Sequence, residues 1–514
     1  MLRTLSHRAE HTTRRQLLQR AGTLAALLAV AALSACATSP ALVTTPPGST
    51  SVALTTSAPA ATASGTAPTS ARAAPTPAAA TANAPAGAPI SVAWMTRGSV
   101  PENKWEKDVA IPQFQKAFPT IKVEWLNIAY ADYVTKSMVM GASGTAADIW
   151  GANGGAGTRA YAAAGGMIQS LSPFIQRDKV DLSVYPKAAV DFLTLQGHVV
   201  GLPFTNNGSF VFYNKDLFQA AGVHFPPSSW EDKTWTVDAL RSTALKLTSN
   251  PGQANAKYGL TVQNNDTGWG MGSWLWGGDP YSVDGYATGY PSQCHFDAPP
   301  VQSSYTYFSD LIVKDHVSPS ADDVKSMALS KAPFIEQRSA MHMVGGWYIQ
   351  NLKGVVKFNL GIAAFPRATT NVAPIWPDSY VMSATTRHPD QAWTLLHYLI
   401  GTEGQQGFMQ STGSAPSDQR LLDQWYKLYT FIPTAELKQA VEGSFVNARI
   451  IILKELVDFV HIDSALEPLL TPMYQGKATV ATTLQQVQRA ITTALAPNVG
   501  KRLCSTGASF GICQ

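Results

Sequence analysis

Charge and cysteine are both scarce in this chain. Only 14% of its 514 residues are charged and four are cysteine. The formal net charge of +4 is not spread along the chain. Arg3, Arg8, Arg14, Arg15 and Arg20 against Glu10 carry all of it within residues 1–35, so the remainder is neutral. A neutral body has no electrostatic footprint for nucleic acid, and that partner class is set aside. No Cys-x-x-Cys or His-Glu-x-x-His pattern occurs, which argues against a zinc site, and no metal or other cofactor is expected. The apolar run Leu24–Leu33 is too short and too abruptly ended for a membrane span. Residues 37–89 have no aromatic side chain and one formal charge, Arg72. Such a stretch buries too little to offset its ordering entropy, which excludes a packed domain there.

What is present near the start reads as an address. "TRRQLLQ" (Thr13–Gln19) is similar to the twin-arginine export signal, and "LSAC" (Leu33–Cys36) resembles the lipobox of bacterial lipoproteins. That resemblance implies cleavage before Cys36 and acylation of its sulfur, giving a membrane anchor through lipid; the alternative is a plain secretory signal with an incidental cysteine. Residues 37–89 then read as a disordered Ala/Thr/Pro/Ser tether with ends roughly 40 Å apart. Cys504 and Cys513 flank a short Gly/Ser loop, and export permits a disulfide between them. A bond from Cys294 to one of the two is the alternative.

From Ile90 onward the pattern is α/β. "ISVAWM" (90–95), "IKVEWLNI" (121–128) and "ADIWGAN" (147–153) read as strands. Between them, Trp105–Phe118, interrupted by Pro112, and Tyr130–Met140 read as helices. Strand, helix, strand, helix, strand argues a parallel sheet with right-handed crossovers. Ligands of such sheets lie beyond the carboxyl ends of the strands. The loops there carry Arg97 and Asn153. Further on, "GLPFTNNGSFVFYNKDLFQAAG" (201–222) moves from a turn into a strand and a helix start, with three small polar residues, Thr205, Asn206 and Asn207, at the strand entrance. The last hundred residues read as mostly helical.

In this order, "ADIW…AYAAAGGMIQSLSPFI", "GLPF…FYNKDLFQAAG…PPSSW", "AMHMVGGW" and "RHPDQAWTLLHYLIGTEGQQ" resemble the family 1 extracellular solute-binding proteins of ABC importers, over about residues 90–417. The resemblance implies a two-lobed periplasmic-binding-protein-like fold of type II, each lobe a central sheet flanked by helices, with the ligand in the cleft between. It implies lobe 1 from 90–205 and 364–412, lobe 2 from 206–363 and 413–514, and crossings near Thr205–Phe210 and Leu360–Ala364. It implies a monomer outside the cell that delivers a sugar or oligosaccharide to the permease subunits of an ABC transporter. Asn207 is similar in position to a ligand-facing carboxylate of maltose-binding-protein-like members, and here keeps a donor and an acceptor without the charge.

Sugars present apolar C–H faces and hydroxyl edges, so aromatic platforms and amide or carboxylate groups are sought on the loops. Trp347, after Gly345–Gly346, resembles the cleft-wall aromatic; otherwise it is a core Trp opening a helix. Trp269 lies beside Trp274 and Trp276, which read as core. Trp376 and Asp378 stand in "IWPDSY" (375–380) at the start of a strand, with Pro377 fixing a turn; an ordinary surface loop is the plain alternative. Two enzyme classes compete. "GAGTRA" (155–160), with Asp178 some twenty residues on, fits a dinucleotide fingerprint, but it follows the third strand instead of the first. A glycoside hydrolase needs paired carboxylates, and Glu336, Asp378 and Asp297 stand singly.

Overall fold

The computed structural model describes residues 89–152, 157–163, 166–262, 271–326, 332–450, 459–505 and 510–513. The export signal, Cys36 and, but for Pro89, the tether lie outside these residues, as do Asn153 and Trp269. Among the described residues no helix is long and apolar enough to cross a membrane, and no group of three or more His, Cys, Asp or Glu side chains is placed to hold a metal ion.

Three parallel strands begin the fold: β1 (Ile90–Gly98), β2 (Ile121–Ala129) and β3 (Ile149–Ala152), with β1 between the other two. The alternation seen in the sequence has its usual cause: Ile121 and Val123 are buried while Lys122 and Glu124 are exposed. Helices Val100–Trp105 and Ile111–Ala117 connect β1 to β2, joined by one π turn, Glu106–Ala110. The interruption expected at Pro112 is thus a change of pitch instead of a break. Proline has no N–H to give, and the wider turn, in which Ile111 N–H bonds Glu106 O, absorbs the defect. The π turn also swings Glu106 inward, where it is buried.

A short hairpin, β4 (Thr194–Leu195) and β5 (His198–Val199), precedes β6 (Leu202–Asn207) and β7 (Ser209–Asn214). Only Gly208 separates β6 from β7, yet they enter different sheets. The remaining strands are β8 (Thr261–Val262), β9 (Met341–Gly345), β10 (Leu360–Ala363), β11 (Ala373–Met382), β12 (Ala448–Ile450), β13 (Arg502–Ser505) and β14 (Phe510–Cys513). One sheet has the order β12-β11-β3-β1-β2, with β6 also paired to β11, and the other runs β10-β7-β9-β8. Glycine is required at 208: a Cβ there would stand 2.7 Å from Phe210 Cζ and would also strike Ser444.

The two sheets carry separate cores. Trp94, Trp105, Phe114, Phe204 and Tyr380 pack in one, with Trp94 edge-on to Trp105 at 6.0 Å. Phe210, Phe212, Val344 and Ile362 pack in another, and Val211, Tyr213 and Met343 in a third on the opposite face of the second sheet. The second crossing does not fall at Leu360–Ala364. Those residues pair with β7 and pack with its side chains. The strand with a foot in both is β11: Ala373 joins the cluster of Val211 and Tyr213, while Tyr380 and Met382 join that of Trp94. The tail is divided as well. Helix Val480–Leu495 packs with Tyr281 and Phe296, whereas Leu503 and Phe510 of the β13–β14 hairpin pack with Trp150 and Tyr161 of the first sheet. Residues 413–514 therefore do not all belong with the second sheet.

Two further expectations meet the structure here. Cys294 is a buried free thiol, 3.4 Å from Thr492 Oγ1, while Cys504 is disulfide-bonded, so Cys294 is not its partner. Asp178, the acidic residue of the dinucleotide pattern, ends helix Ser172–Asp178 and accepts the Trp393 indole N–H at 2.6 Å; it is not at a strand end.

His342 on β9 is half-buried between Phe334 and Tyr348, the latter with a ring centroid 4.5 Å away, and its Nδ1, itself out of solvent, has no hydrogen-bond partner among the described residues. Burial pushes its pKa down to about 3. The unfolded chain therefore binds the proton first as pH falls, and stability should drop between about pH 6.5 and pH 3 by up to about 1.4 kcal/mol per unit. Above that window His342 contributes no slope. Denaturant unfolding across this range should show a shallower loss in His342→Leu than in the parent; equal slopes would contradict the assignment.

Candidate functional site

The site forms where β6 and β11 run antiparallel across both cores. Their register places Thr205 opposite Asp378, Asn206 opposite Pro377 and Asn207 opposite Trp376. "IWPDSY" is thus no turn: Trp376, Pro377 and Asp378 lie inside β11, with a register shift between Asp378 and Ser379. Such an irregularity next to a site is a common way of re-aiming side chains, and it lets the strand hold a proline. The other edge of β6 is closed by residues 415–417, through Asn206 N–H to Ala415 O and Ser417 N–H to Phe204 O, both 3.3 Å.

Five of the residues singled out in the sequence come together here: Arg97, Asn207, Trp347, Trp376 and Asp378. Arg97, at the carboxyl end of β1, donates from Nη2 to Asp378 Oδ2 at 3.0 Å and lies 3.4 Å from Glu102 Oε1. Thr205 Oγ1 donates to the same Asp378 oxygen at 3.2 Å. Asn207 is buried at the register position of Trp376. Asn206 beside it is fully buried, and neither atom of its amide is bonded among the described residues. An unpaired buried amide costs about 1–3 kcal/mol, so this is a strained place in the crossing.

Trp347 and Trp376 meet edge to face, with ring centroids 5.1 Å apart and planes at 82°. Both are half-buried. Trp376 is aimed by its indole N–H, which donates to Ser209 Oγ at 3.1 Å, and that hydroxyl in turn donates to Pro374 O. Trp347 is aimed by glycine. Gly346 N–H bonds Gly208 O at 2.6 Å, tying the loop to the crossing, and the Trp347 ring lies so close over Gly345 that a Cβ there would overlap it. The Gly-Gly-Trp run thus seats one indole, held by its own backbone, at the point where the two sheets meet. Trp274 is buried core and Trp94 is fully buried, so neither joins the site.

At the carboxyl ends of β1 and β3 is a small cavity, lined in part by Asp378 itself, which sequence reasoning only half anticipated. It is lined by Thr96, Arg97, Glu102, Glu106, Tyr133 and Asp378, among others, and its volume of about 20 Å³ holds about one water. Glu106 had no signal of its own: it sits in a polar stretch, "ENKWEKD", that reads as a solvated helix face. Its Oε2 accepts from Thr96 Oγ1 at 2.8 Å and from the Trp125 indole at 3.0 Å. Burial pushes its carboxyl up to about 7, against the lowering effect of the Thr96 bond. Tyr133 closes the far wall, donating to Gly151 O at 3.0 Å, and burial pushes its phenol up. Taken together, the site offers two indoles for an apolar face and an acid-rich hollow for a polar edge.

The profile of the bacterial extracellular solute-binding proteins matches residues 110–431. A putative binding protein of Brucella abortus is 24% identical over 230 residues, 43% of this chain; the chain spans about half (51%) of that relative's length. Among solved structures, an ABC substrate-binding protein of Listeria monocytogenes in complex with cycloalternan superposes with a TM-score of 0.67 at 20% identity, over 79% of this chain and 99% of that one. A cyclic alpha-maltosyl-1,6-maltose binding protein of Arthrobacter globiformis gives 0.63 at 19% identity, over 80% and 100%. These likenesses carry the two-lobed fold.

The seat of Trp347 can be tested without any ligand. Gly345→Ala should push the indole off its backbone, changing the near-ultraviolet circular dichroism of the Trp347–Trp376 pair and lowering stability by about 1–3 kcal/mol. A variant with the parent's spectrum and unfolding midpoint would contradict the packing described.

Proposed function

The chain belongs to the bacterial extracellular solute-binding proteins, and from that premise we propose that it captures a sugar or oligosaccharide between its lobes and delivers it to an ABC importer, without chemical turnover. The observation that carries this reading is the half-buried Trp347–Trp376 pair beside the polar residues of the crossing. A pyranose has a C–H face that an indole covers and hydroxyls that Asn207, Asp378 and Arg97 can bond. That solved neighbours include proteins in complex with cycloalternan and bound with alpha-D-tagatose supports a carbohydrate as the class of solute. The ligand set proposed is Trp347, Trp376, Asp378, Asn207 and Arg97, with Trp269 and Asn153 added on sequence grounds. We place the lobe boundaries at Gly208 and within β11.

Acylation of Cys36 is proposed to hold a monomer on the outer face of the membrane, with residues 37–89 as its tether, and Cys504 is proposed to pair with Cys513 on the neighbouring strand. Acyl chains hold a surface because each buried CH₂ contributes about 0.8 kcal/mol. Cys36→Ser should release the protein from the membrane fraction and abolish fatty-acid labelling; retention at the membrane would overturn the anchor.

Calorimetry against a panel of mono- and oligosaccharides tests the sugar reading. In the parent, at least one should bind reversibly and be recovered intact. Stacking on Trp347 is expected to contribute about 1–3 kcal/mol, so Trp347→Ala should weaken that sugar by about tenfold to a hundredfold while melting close to the parent. If Trp347 served packing alone, the same change would cost about 3–5 kcal/mol of stability and leave the affinity of the folded fraction unchanged.

A further inference from the structure

Besides β6 and β11, two further segments pass from the second core to the first sheet, and they end in the same place. The first is an arm, residues 281–294, closed at its base by pairing of Tyr281 with Cys294. The base belongs to the second core, where Tyr281, Cys294 and Phe296 pack with Trp274. Gln488 of helix Val480–Leu495 fastens it, accepting from Phe296 N–H at 2.7 Å and donating to Cys294 O at 2.9 Å. The far end of the arm lies elsewhere. Tyr286 packs against Phe192, Ile375 and Ile450, and Tyr290 is buried in the cluster of Trp150 and Tyr161 on the first sheet. Local structure aims that second tyrosine. Helix Asp284–Thr288 ends at Gly289, whose φ of 75° is left-handed and suits glycine, and whose N–H bonds Gly285 O at 2.9 Å. Tyr290 N–H then donates to Thr288 Oγ1 at 3.0 Å, and Ser292 N–H to Asp284 Oδ2 at 3.2 Å.

The second segment is the β13–β14 hairpin. Helix Val480–Leu495 packs in the second core, and the chain then runs through residues 496–501 into β13. Leu503 and Phe510 of the hairpin are buried in the same cluster as Tyr290. Gln196 holds the hairpin down. It stands with Gly197 in the two-residue turn between β4 and β5, at φ 51°, where asparagine is the usual residue. The longer amide reaches the hairpin: Ser505 N–H donates to Gln196 Oε1 at 3.1 Å, and Gln196 Nε2 donates to Leu503 O. The His198 ring meets Phe510 edge to face at 5.9 Å. A lone two-stranded hairpin is marginal in water, and the disulfide at Cys504 braces this one.

We propose that Tyr290 and the β13–β14 hairpin form a clasp that limits how far the two lobes part. Both halves are rooted on helix Val480–Leu495 of the second core, and both pack in the cluster of Trp150, the β3 residue next to Gly151 of the cavity wall. Parting the lobes about β6 and β11 must withdraw Tyr290 from its apolar seat or peel the hairpin from Gln196. Either step returns buried apolar surface to water, which is unfavourable. The clasp therefore favours the arrangement in which it is formed and narrows the range open to the ligand-free protein. A binding protein held near one arrangement loses less affinity to states that cannot bind. The clasp acts on the hinge, whatever the solute.

The test is small-angle X-ray scattering of the whole protein without ligand, comparing the parent with Tyr290→Ala and with Cys504→Ser plus Cys513→Ser. Each variant should show a radius of gyration larger than the parent's by roughly 1 Å or more, about a twentieth of the value for a compact body of this size. Combining the two should add little, because one clasp can be released only once. Gln196→Ala leaves the disulfide and every buried apolar group in place, and it carries the same comparison if either of the others fails to fold. A radius that is unchanged or smaller in the folded variants overturns the clasp. So does a combined variant whose change is the sum of the two, since two separate local loosenings would then explain it. No sugar enters the measurement. Failure of every sugar to bind therefore leaves the clasp standing, and an unchanged radius leaves the sugar reading standing.

Discussion

The site depends on the antiparallel pairing of β6 with β11. β6, packed in the first core, lies beside β11, which has residues in both, and their register sets Thr205, Asn207, Trp376 and Asp378 relative to one another. β6 passes through Gly208 into the second sheet, where no side chain would fit, and β11 passes back through the Asp378/Ser379 irregularity. In the proposed reading the two strands are both the link between lobes and the floor of the site, so that a motion about them would move the proposed ligand groups and couple closure to occupancy.

The division of labour between the lobes follows from this link. The first sheet supplies charge: Arg97, Glu102 and Glu106 stand at or just beyond the carboxyl end of β1, where the backbone of a parallel sheet opens to solvent. The second supplies apolar surface through Trp347, held on Gly345 and tied to Gly208. Trp376 and Asp378, two residues apart on β11, contribute one of each. A solute with one apolar face and one polar edge would touch both lobes, and such bridging favours the closed state by its differential contacts.

Much of this was legible from residues alone, and the rest was hidden for physical reasons. The first strand is legible as a short apolar run and the second through its alternation, and the two glycines before Trp347 mark the sharp backbone approach that seats its half-buried ring. Pro377 misled, because a proline in a short apolar run normally marks a turn, whereas here a neighbouring irregularity lets it lie inside a ten-residue strand. Glu106 was invisible because its inward direction comes from one π turn, a change of pitch that helical periodicity cannot reveal. The return of Leu503 and Phe510 to the first sheet was equally hidden: two short strands carry no signal of which distant surface they will cover. Leu360–Ala363 reads like any strand, and only its pairing with β7 assigns it to the second sheet.

The most direct measurement of the central claim is small-angle X-ray scattering of the protein with and without each saturating sugar found to bind. If β6 and β11 join two lobes around the ligand, the radius of gyration should fall and the longest interatomic distance should shorten on saturation, with both changes weakened in a variant that lacks the Trp347 indole. A scattering profile that stays the same for every sugar that binds would contradict the account, because the ligand would then be touching a surface that does not span the crossing.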